Sequence, residues 1–478
     1  MNIPMIRYIL CQVMRIEGVL MLLPCLISII YSDGEGVYYG IVAAVLIGTG
    51  FIGCHFVPKS QTIGVKEGYT VTGLSWIVMS LFGCLPFWLS GEISSFTDAF
   101  FETVSGFTTT GASILPGVEQ LSHAALFWRS FTHWIGGMGV LVFLLALIPM
   151  SGGSNINLMK AESPGPSVGK LVPKIRHSAL ILYVIYMVMT VIETVCLLFG
   201  GLNLFDSLCL SFGTAGTGGF AIRDDSFMSY SLAVRWIVGV FMLLFGFNFN
   251  AYYFLIMRQF KKAFSMEEIR VFLIMVAVSV AVVFAKILPM YDSGITALTD
   301  AFFQVASVVS TTGFGSADFD IWPATAKFVL CFMMFMGACA GSTGGGVKVS
   351  RIMILWKSVV REVESYIHPK IVRKVTIDKK PVDADVLKST HVFLATYAGL
   401  FLISLFFVSF NNCDMTTGFT AVLACLNNIG PGLSLVGPTC NYGFLSILTK
   451  WVLTFDMLAG RLELFPILVL FAPGLYKR

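Results

Sequence analysis

Charge is scarce in this sequence. Only 12% of its 478 residues are Asp, Glu, Lys or Arg, whereas 56% are hydrophobic; a soluble domain carries about 25% charged residues. The shortage excludes an ordinary water-soluble domain, and the strongly positive mean hydropathy agrees. Histidine is scarcer still. His55, His123, His133, His177, His368 and His391 are the only six, and their spacing forms no metal-binding or catalytic cluster, which argues against a membrane-embedded enzyme. The eleven cysteines are scattered, mostly in apolar runs (Cys25, Cys84, Cys196, Cys331), without zinc or redox spacing. Cys413 and Cys440 fall on one side of the expected topology, but spacing alone does not pair them. A small-residue cleavage site is also missing after Arg7 and Arg15, so the N-terminal apolar run reads as a retained span rather than a signal peptide.

What the sequence has in abundance is apolar runs. Crossing a bilayer takes about 20 apolar residues, and Gly36 to Val57, Tyr69 to Ser90, Val271 to Pro289 and Val392 to Phe410 approach or exceed that length. The few charges are sorted between them. Basic residues fill Pro58 to Gly68 (Lys59, Lys66), Ser151 to His177 (Lys160, Lys170, Lys174, Arg176), Arg258 to Arg270 and Lys348 to Lys388, which places those connections inside the cell. The alternate connections carry Asp33, Glu35, Glu92, Glu119, Asp224, Asp225, Asp292, Asp318, Asp320 and Asp414, with Arg223 as the main exception. That side is expected to face outwards, and an acidic rim would raise the local cation concentration at a pore mouth.

Comparing the chain with itself exposes a repeat. Phe96 to Ile114 reads FTDAFFETVSGFTTTGASI and Leu298 to Asp318 reads LTDAFFQVASVVSTTGFGSAD. Asp98 precedes Gly111 by thirteen residues, Asp300 precedes Gly313 by thirteen, and a third copy, Phe205 to Ala221, holds Asp206 thirteen before Gly219. A fourth, Thr417 to Leu433, aligns Gly430 with those glycines but lacks the leading Asp. Each copy has an apolar stretch of about ten residues, too short to span, and irregular backbone at membrane depth is tolerated only against protein or a water-filled cavity. The copies therefore read as re-entrant loops facing a pore. Asp98, Asp206 and Asp300 are expected to cap short helices whose partly negative C-terminal ends point into the glycine turns.

Glycine suits such a turn because it adopts backbone angles that other residues resist, and a ring of backbone carbonyls can replace the water shell of a monovalent cation. The predicted ion-contacting residues are Thr109, Thr110 and Gly111; Thr217, Gly218 and Gly219; Thr311, Thr312 and Gly313; and Asn428, Ile429 and Gly430. Asn427 is expected to brace its turn or add an oxygen. The turns contain no Asp or Glu ring of the kind that makes a side-chain filter.

On these four turns, TTTGAS, GTGGFA, STTGFG and NNIGPG, the chain resembles the Trk/Ktr/HKT superfamily of potassium transporters over nearly its whole length. The resemblance implies an all-α integral membrane fold, with four helix/pore-loop/helix repeats around a central, potassium-channel-like pore. Two additional spans, roughly Tyr8 to Tyr31 and Gly36 to Val57, form an N-terminal hairpin and favour the bacterial TrkH type. The expected organisation is an N-terminal hairpin at 1–67, then pore repeats at 68–150, 151–260, 261–385 and 386–478. In plant members a serine at the first filter position accompanies sodium preference; Gly111 stands there and favours potassium.

Two further features take roles from that resemblance. GACAGSTGGGVK, Gly337 to Lys348, interrupts an apolar segment after the third turn. No Gly-Lys-Ser/Thr follows, so a nucleotide loop is disfavoured, and the resemblance implies an intramembrane gate with Gly341, Ser342, Thr343, Gly344, Gly345 and Gly346 as its flexible part. Arg461, in MLAGRLELFP, costs about 2.5 to 3.5 kcal/mol at mid-bilayer. It reads as a barrier cooperating with that loop, or as the partner of Glu463 or Asp456, or as a snorkelling side chain. Glu193, Arg235, Lys286, Arg129 and Lys450 are assigned to structural pairing or to the interface.

The implied activity is potassium uptake through a gated pore in a bacterial inner membrane, with potassium as the bound and transported ion and no organic cofactor. The implied partners are a second copy of the chain, membrane lipid and a cytosolic TrkA-like nucleotide-binding subunit, with no nucleic acid. The rival is an alternating-access cation symporter, since broken helices also mark such folds.

Overall fold

The computed structural model of the chain describes residues 1–60, 62–139, 175–369 and 374–476. Lys160, Lys170 and Lys174 of the expected basic connection, and the repeat boundary expected at residue 150, lie outside these, as does the side chain of Arg176. The fold is an all-α membrane protein. Among the described residues six helices are long and apolar enough to cross a membrane, Ile3–Tyr31, Gly36–His55, Val65–Ser90, Leu180–Phe199, Glu267–Met290 and Ala384–Ser409. A two-residue strand pair, Thr376–Ile377 against Lys380–Pro381, is the exception to helix among the described residues.

The first two spans pack on each other as a hairpin, and the first also contacts the Val65–Gly83 helix. After them one unit recurs four times: an outer helix, a short pore helix, a turn and an inner helix. The pore helices are Phe96–Phe107, Leu204–Gly216, Gly294–Val309 and Met415–Asn427. The inner helices are His123–Gly137, Leu232–Gly246, Ala324–Met336 and Ile447–Arg461. Each pore helix ends immediately before its glycine turn, so its unpaired carbonyls face the turn as the sequence requires.

The caps differ from expectation. Ser95, Asn203 and Asp414 are the N-caps of pore helices 1, 2 and 4, each accepting a bond from the backbone N–H three residues on. All three stand sixteen residues before their glycine, not thirteen. Asp98 and Asp206 are therefore inside the first turn, and Asp300 is deeper, because pore helix 3 starts a turn earlier at Gly294. The fourth repeat has its cap after all, in Asp414, whose carboxylate takes the Thr417 amide at 3.1 Å.

Instead of capping, two of these aspartates join repeats. Inner helices 2, 3 and 4 carry a basic residue at their fourth position, Arg235, Lys327 and Lys450. Arg235 of repeat 2 pairs with Asp300 of repeat 3 at 2.9 Å, and Lys450 of repeat 4 pairs with Asp98 of repeat 1 at 2.6 Å. Lys327 stays nearer home, 3.9 Å from Asp320. Inner helix 1 has Leu126 at this position; its cation is Arg129, buried against Glu102 at 2.8 Å. Pairing thus accounts for Arg129, Arg235 and Lys450. Glu193 is buried with no ion-pair partner among the described residues.

Helices in lipid gain little from apolar burial and associate through close packing instead. Gly136 shows how close: a Cβ there would strike the Phe107 carbonyl at the end of pore helix 1. Inner helix 2 stops at Gly246 and resumes as Phe249–Ile256 after a bend of 92°. All eleven cysteines are free thiols, Cys413 and Cys440 included.

Candidate permeation site

The four turns share one backbone conformation. Gly111, Gly219, Gly313 and Gly430 have φ of +78°, +81°, +87° and +92°, and two residues before each stands Thr109, Thr217, Thr311 or Asn428 at +54°, +54°, +61° and +56°. The residues between, Thr110, Gly218, Thr312 and Ile429, are not left-handed. Alternation in the sign of φ turns successive peptide groups towards the same side, which lets one short segment present several aligned dipoles. Left-handed threonine is unfavourable by about 1–3 kcal/mol per residue and persists only where its surroundings hold it.

The turns close into a ring. A Cβ placed on Gly111 would collide with the Gly218 carbonyl, one on Gly219 with that of Thr312, and one on Gly313 with that of Ile429. One on Gly430 would sit 2.7 Å from the Thr110 carbonyl, so the fourth turn returns to the first. Above the ring a cavity of about 130 Å³ is lined by Gly111, Gly219, Gly313 and Pro431, with Ser113, Arg223 and Asp224 at its rim.

Hydroxyls and amides behind the ring hold it. Thr108 and Thr110 share a hydrogen bond at 2.8 Å, and Ser310 and Thr312 share the matching one at 2.7 Å. Asn428 donates to the Thr110 hydroxyl and to the Met457 carbonyl, both at 2.9 Å, while Asn427 donates to Tyr397 at 2.8 Å. Their amides brace the ring. The Glu102–Arg129 pair joins two turns, because Glu102 also accepts from the Ile114 amide at 2.9 Å and Arg129 donates to the Ala221 carbonyl at 3.3 Å. The Tyr442 hydroxyl donates to the Gly430 carbonyl at 2.6 Å, which makes the fourth turn unlike the rest. His133, treated in the sequence as one of a non-clustering set, touches both pore helix 1 and turn 2.

Beneath the ring lies the segment from Gly337 to Lys348. The Gly345 amide donates to the Thr311 hydroxyl at 2.6 Å, directly joining loop to turn. Three bonds dock it on the break in the second repeat's inner helix: Cys339 amide to Gly246 carbonyl at 3.1 Å, Phe249 amide to Gly341 carbonyl at 3.0 Å, and Thr343 hydroxyl to Phe245 carbonyl at 3.2 Å. Buried Glu268 receives the Ala340 amide at 2.7 Å. Ser342 turns inward onto the Cys339 carbonyl at 2.6 Å, and Gly344 and Gly346 pack against Ser310 and Gly337. In this conformation the glycine-rich loop is held at many points.

Arg461 reaches across to this loop. It donates to the Thr343 carbonyl at 2.8 Å and to the carbonyls of Gly136 and Gly137 at the end of inner helix 1. The two carboxylates weighed as its partners are engaged elsewhere, Glu463 with Arg351 and Asp456 with the Ser404 hydroxyl at 2.7 Å. Lys348, expected among the cytosolic charges, is buried with its ammonium on the Gly344 carbonyl. Its left-handed backbone, φ +79°, folds the side chain back under the loop. No group of three or more His, Cys, Asp or Glu residues able to hold a metal occurs among the described residues.

The sequence profile described as "TrkH: Cation transport protein" matches residues 40–475. The chain belongs to the TrkH family. The Trk system potassium uptake protein TrkH of Salmonella typhimurium is 36% identical over 467 residues, 96% of each chain. That of Halomonas elongata is 35% identical over 486 residues, the full length of both. The crystal structure of the potassium transporter TrkH from Vibrio parahaemolyticus superposes with a TM-score of 0.89 at 32% identity, covering all of both chains. These TrkH relatives are named as transport proteins, not as enzymes.

Proposed function

We propose that this chain is the membrane subunit of a bacterial potassium-uptake system, located in the inner membrane and passing potassium inward through a gated pore. The observation that carries the reading is the closed ring of four turns that share left-handed residues at and two before Gly111, Gly219, Gly313 and Gly430. Such a ring offers carbonyl oxygens in place of hydration water. Threonine and asparagine side chains serve as braces, and potassium is the transported ion rather than a resident cofactor. An inside-negative potential contributes about 2.3 kcal/mol per charge per 100 mV, sufficient in sign to draw the ion inward.

The loop at Gly341 to Gly346 with Arg461 acts as the gate. It lies directly under turn 3 and is tied to the fourth repeat's inner helix by Arg461, so its release opens the path below the ring. A second copy of the chain and a cytosolic TrkA-like nucleotide-binding subunit are the proposed partners. The test is isotopic rubidium uptake into proteoliposomes by the parent and by Gly111→Ala and Gly313→Ala. Uptake by the parent and strong loss in both variants are expected; an inactive parent, or variants that match it, would sink the filter assignment.

A further inference from the structure

Turn 2 lacks the braces of turns 1 and 3. Where turn 1 has Thr108 and Thr110 and turn 3 has Ser310 and Thr312, turn 2 has Gly216 and Gly218. The space is taken by His133. A Cβ on Gly218 would clash with the imidazole, 2.1 Å from its nearest ring atom, and one on Gly216 would strike the His133 main chain. His133 is the eleventh residue of inner helix 1, and the eleventh residues of the other three inner helices are Met242, Met334 and Met457, all buried. One repeat in four has exchanged a buried thioether for an imidazole, and it does so beside the turn whose two bracing positions are both glycine.

The imidazole's bonds say what the exchange accomplishes. Its Nδ1 lies 2.7 Å from the Gly106 carbonyl, which only accepts, so Nδ1 carries the proton. Its Nε2 then accepts from the Phe220 amide at 3.1 Å. Each nitrogen of the neutral ring is used once. The Phe220 N–H and the Gly219 carbonyl belong to one planar trans peptide and point in opposite directions. Drawing the N–H back towards inner helix 1 therefore aims the Gly219 carbonyl away from it, to the ring's interior. The His133 ring also packs on Phe220, centroids 4.3 Å apart, while the Arg129 guanidinium covers that phenyl ring at 4.0 Å.

We infer that His133 is a positioning residue for ion selection, setting the direction of the Gly219 carbonyl from behind the filter. The inference rests on the filter reading above and deepens it. His133→Met restores the residue found in the other repeats, which already pack methionine at this depth, so the variant retains a side chain the fold accommodates. It removes both bonds. His133→Gln supplies one amide with a donor and an acceptor, and serves as the conservative replacement.

The experiment compares rubidium-86 and sodium-22 uptake into proteoliposomes made from the full chain, with Gly313→Ala as the filter control. For His133→Met the rubidium-to-sodium ratio is expected to fall about tenfold, the equivalent of about 1.4 kcal/mol, with monodisperse protein in parental yield. His133→Gln should keep most of the ratio. A Met variant with the parent's ratio, or a Gln variant as unselective as Met, overturns the inference. If Gly313→Ala loses selectivity while His133→Met does not, only this inference fails; if neither changes, the filter reading falls with it.

Discussion

The Gly345 amide and the Thr311 hydroxyl are 2.6 Å apart, so the loop beneath the ring and the third turn of the ring share one hydrogen bond. Thr311→Ala removes the acceptor and leaves a buried N–H unpaired, a cost of about 1–3 kcal/mol. That cost falls on the docked loop. Single-channel recording should show a higher open fraction than in the parent, with Thr311→Ser close to the parent. An unchanged open fraction in Thr311→Ala would separate loop from turn.

Arg461 donates to carbonyls of the loop and of inner helix 1, and hydrogen bonds to a charged group contribute about 1.5–3 kcal/mol each. Arg461→Gln retains length but not charge and is expected to raise rubidium uptake several-fold at equal protein density. Arg461→Lys should fall between. Uptake at the parental rate in both would remove Arg461 from the gate.

Glu102 and Arg129 are both almost wholly buried. Removing one member of such a pair strands the other charge and destabilises by about 3–5 kcal/mol. Arg129→Met should therefore lower the midpoint of thermal aggregation in detergent sharply, and Arg129→Met with Glu102→Gln should recover part of the loss. Equal midpoints for the single and double variants would show that the charge left behind is not the cause.

Asp414 lies at the outer end of pore helix 4, where the Thr417 hydroxyl, more than any other contact, holds its carboxyl below the ordinary 3.8. A lowered folded value means stability present above the unfolded value and lost as pH falls through the folded one. Thermal midpoints should be flat from neutral pH to about 5 and drop below about 4. Asp414→Asn should be less stable than the parent at neutral pH, with the difference shrinking in acid. A difference that persists undiminished in acid would rule out the carboxylate as its source.

The thirteen-residue spacing marks three of the turns, and the fourth, without the leading Asp, is legible only by aligning Gly430 with the other glycines. The caps were misread for a physical reason. Asp98 and Asp206 sit at the third helical position, where a carboxylate also suits the positive helix end, and the true caps Ser95 and Asn203 are less conspicuous. Bonds between repeats, such as Lys450 with Asp98 at a separation of 352 residues, have no local signature. His133 was illegible for a different reason. Its importance depends on two missing side chains, at Gly216 and Gly218, far along the chain, and only alignment of the four inner helices would have set it against three methionines.

The ring in which each glycine abuts the next turn's backbone behaves as an arch of four keystones. A stone too wide pushes on its neighbour, so a methyl group added at Gly430 presses on the Thr110 carbonyl, and one at Gly219 on that of Thr312. Damage is displaced by one repeat from the mutation that causes it. Compensating changes for a lesion in one turn are thus to be sought in the turn that follows it around the axis, with the fourth passing its load back to the first.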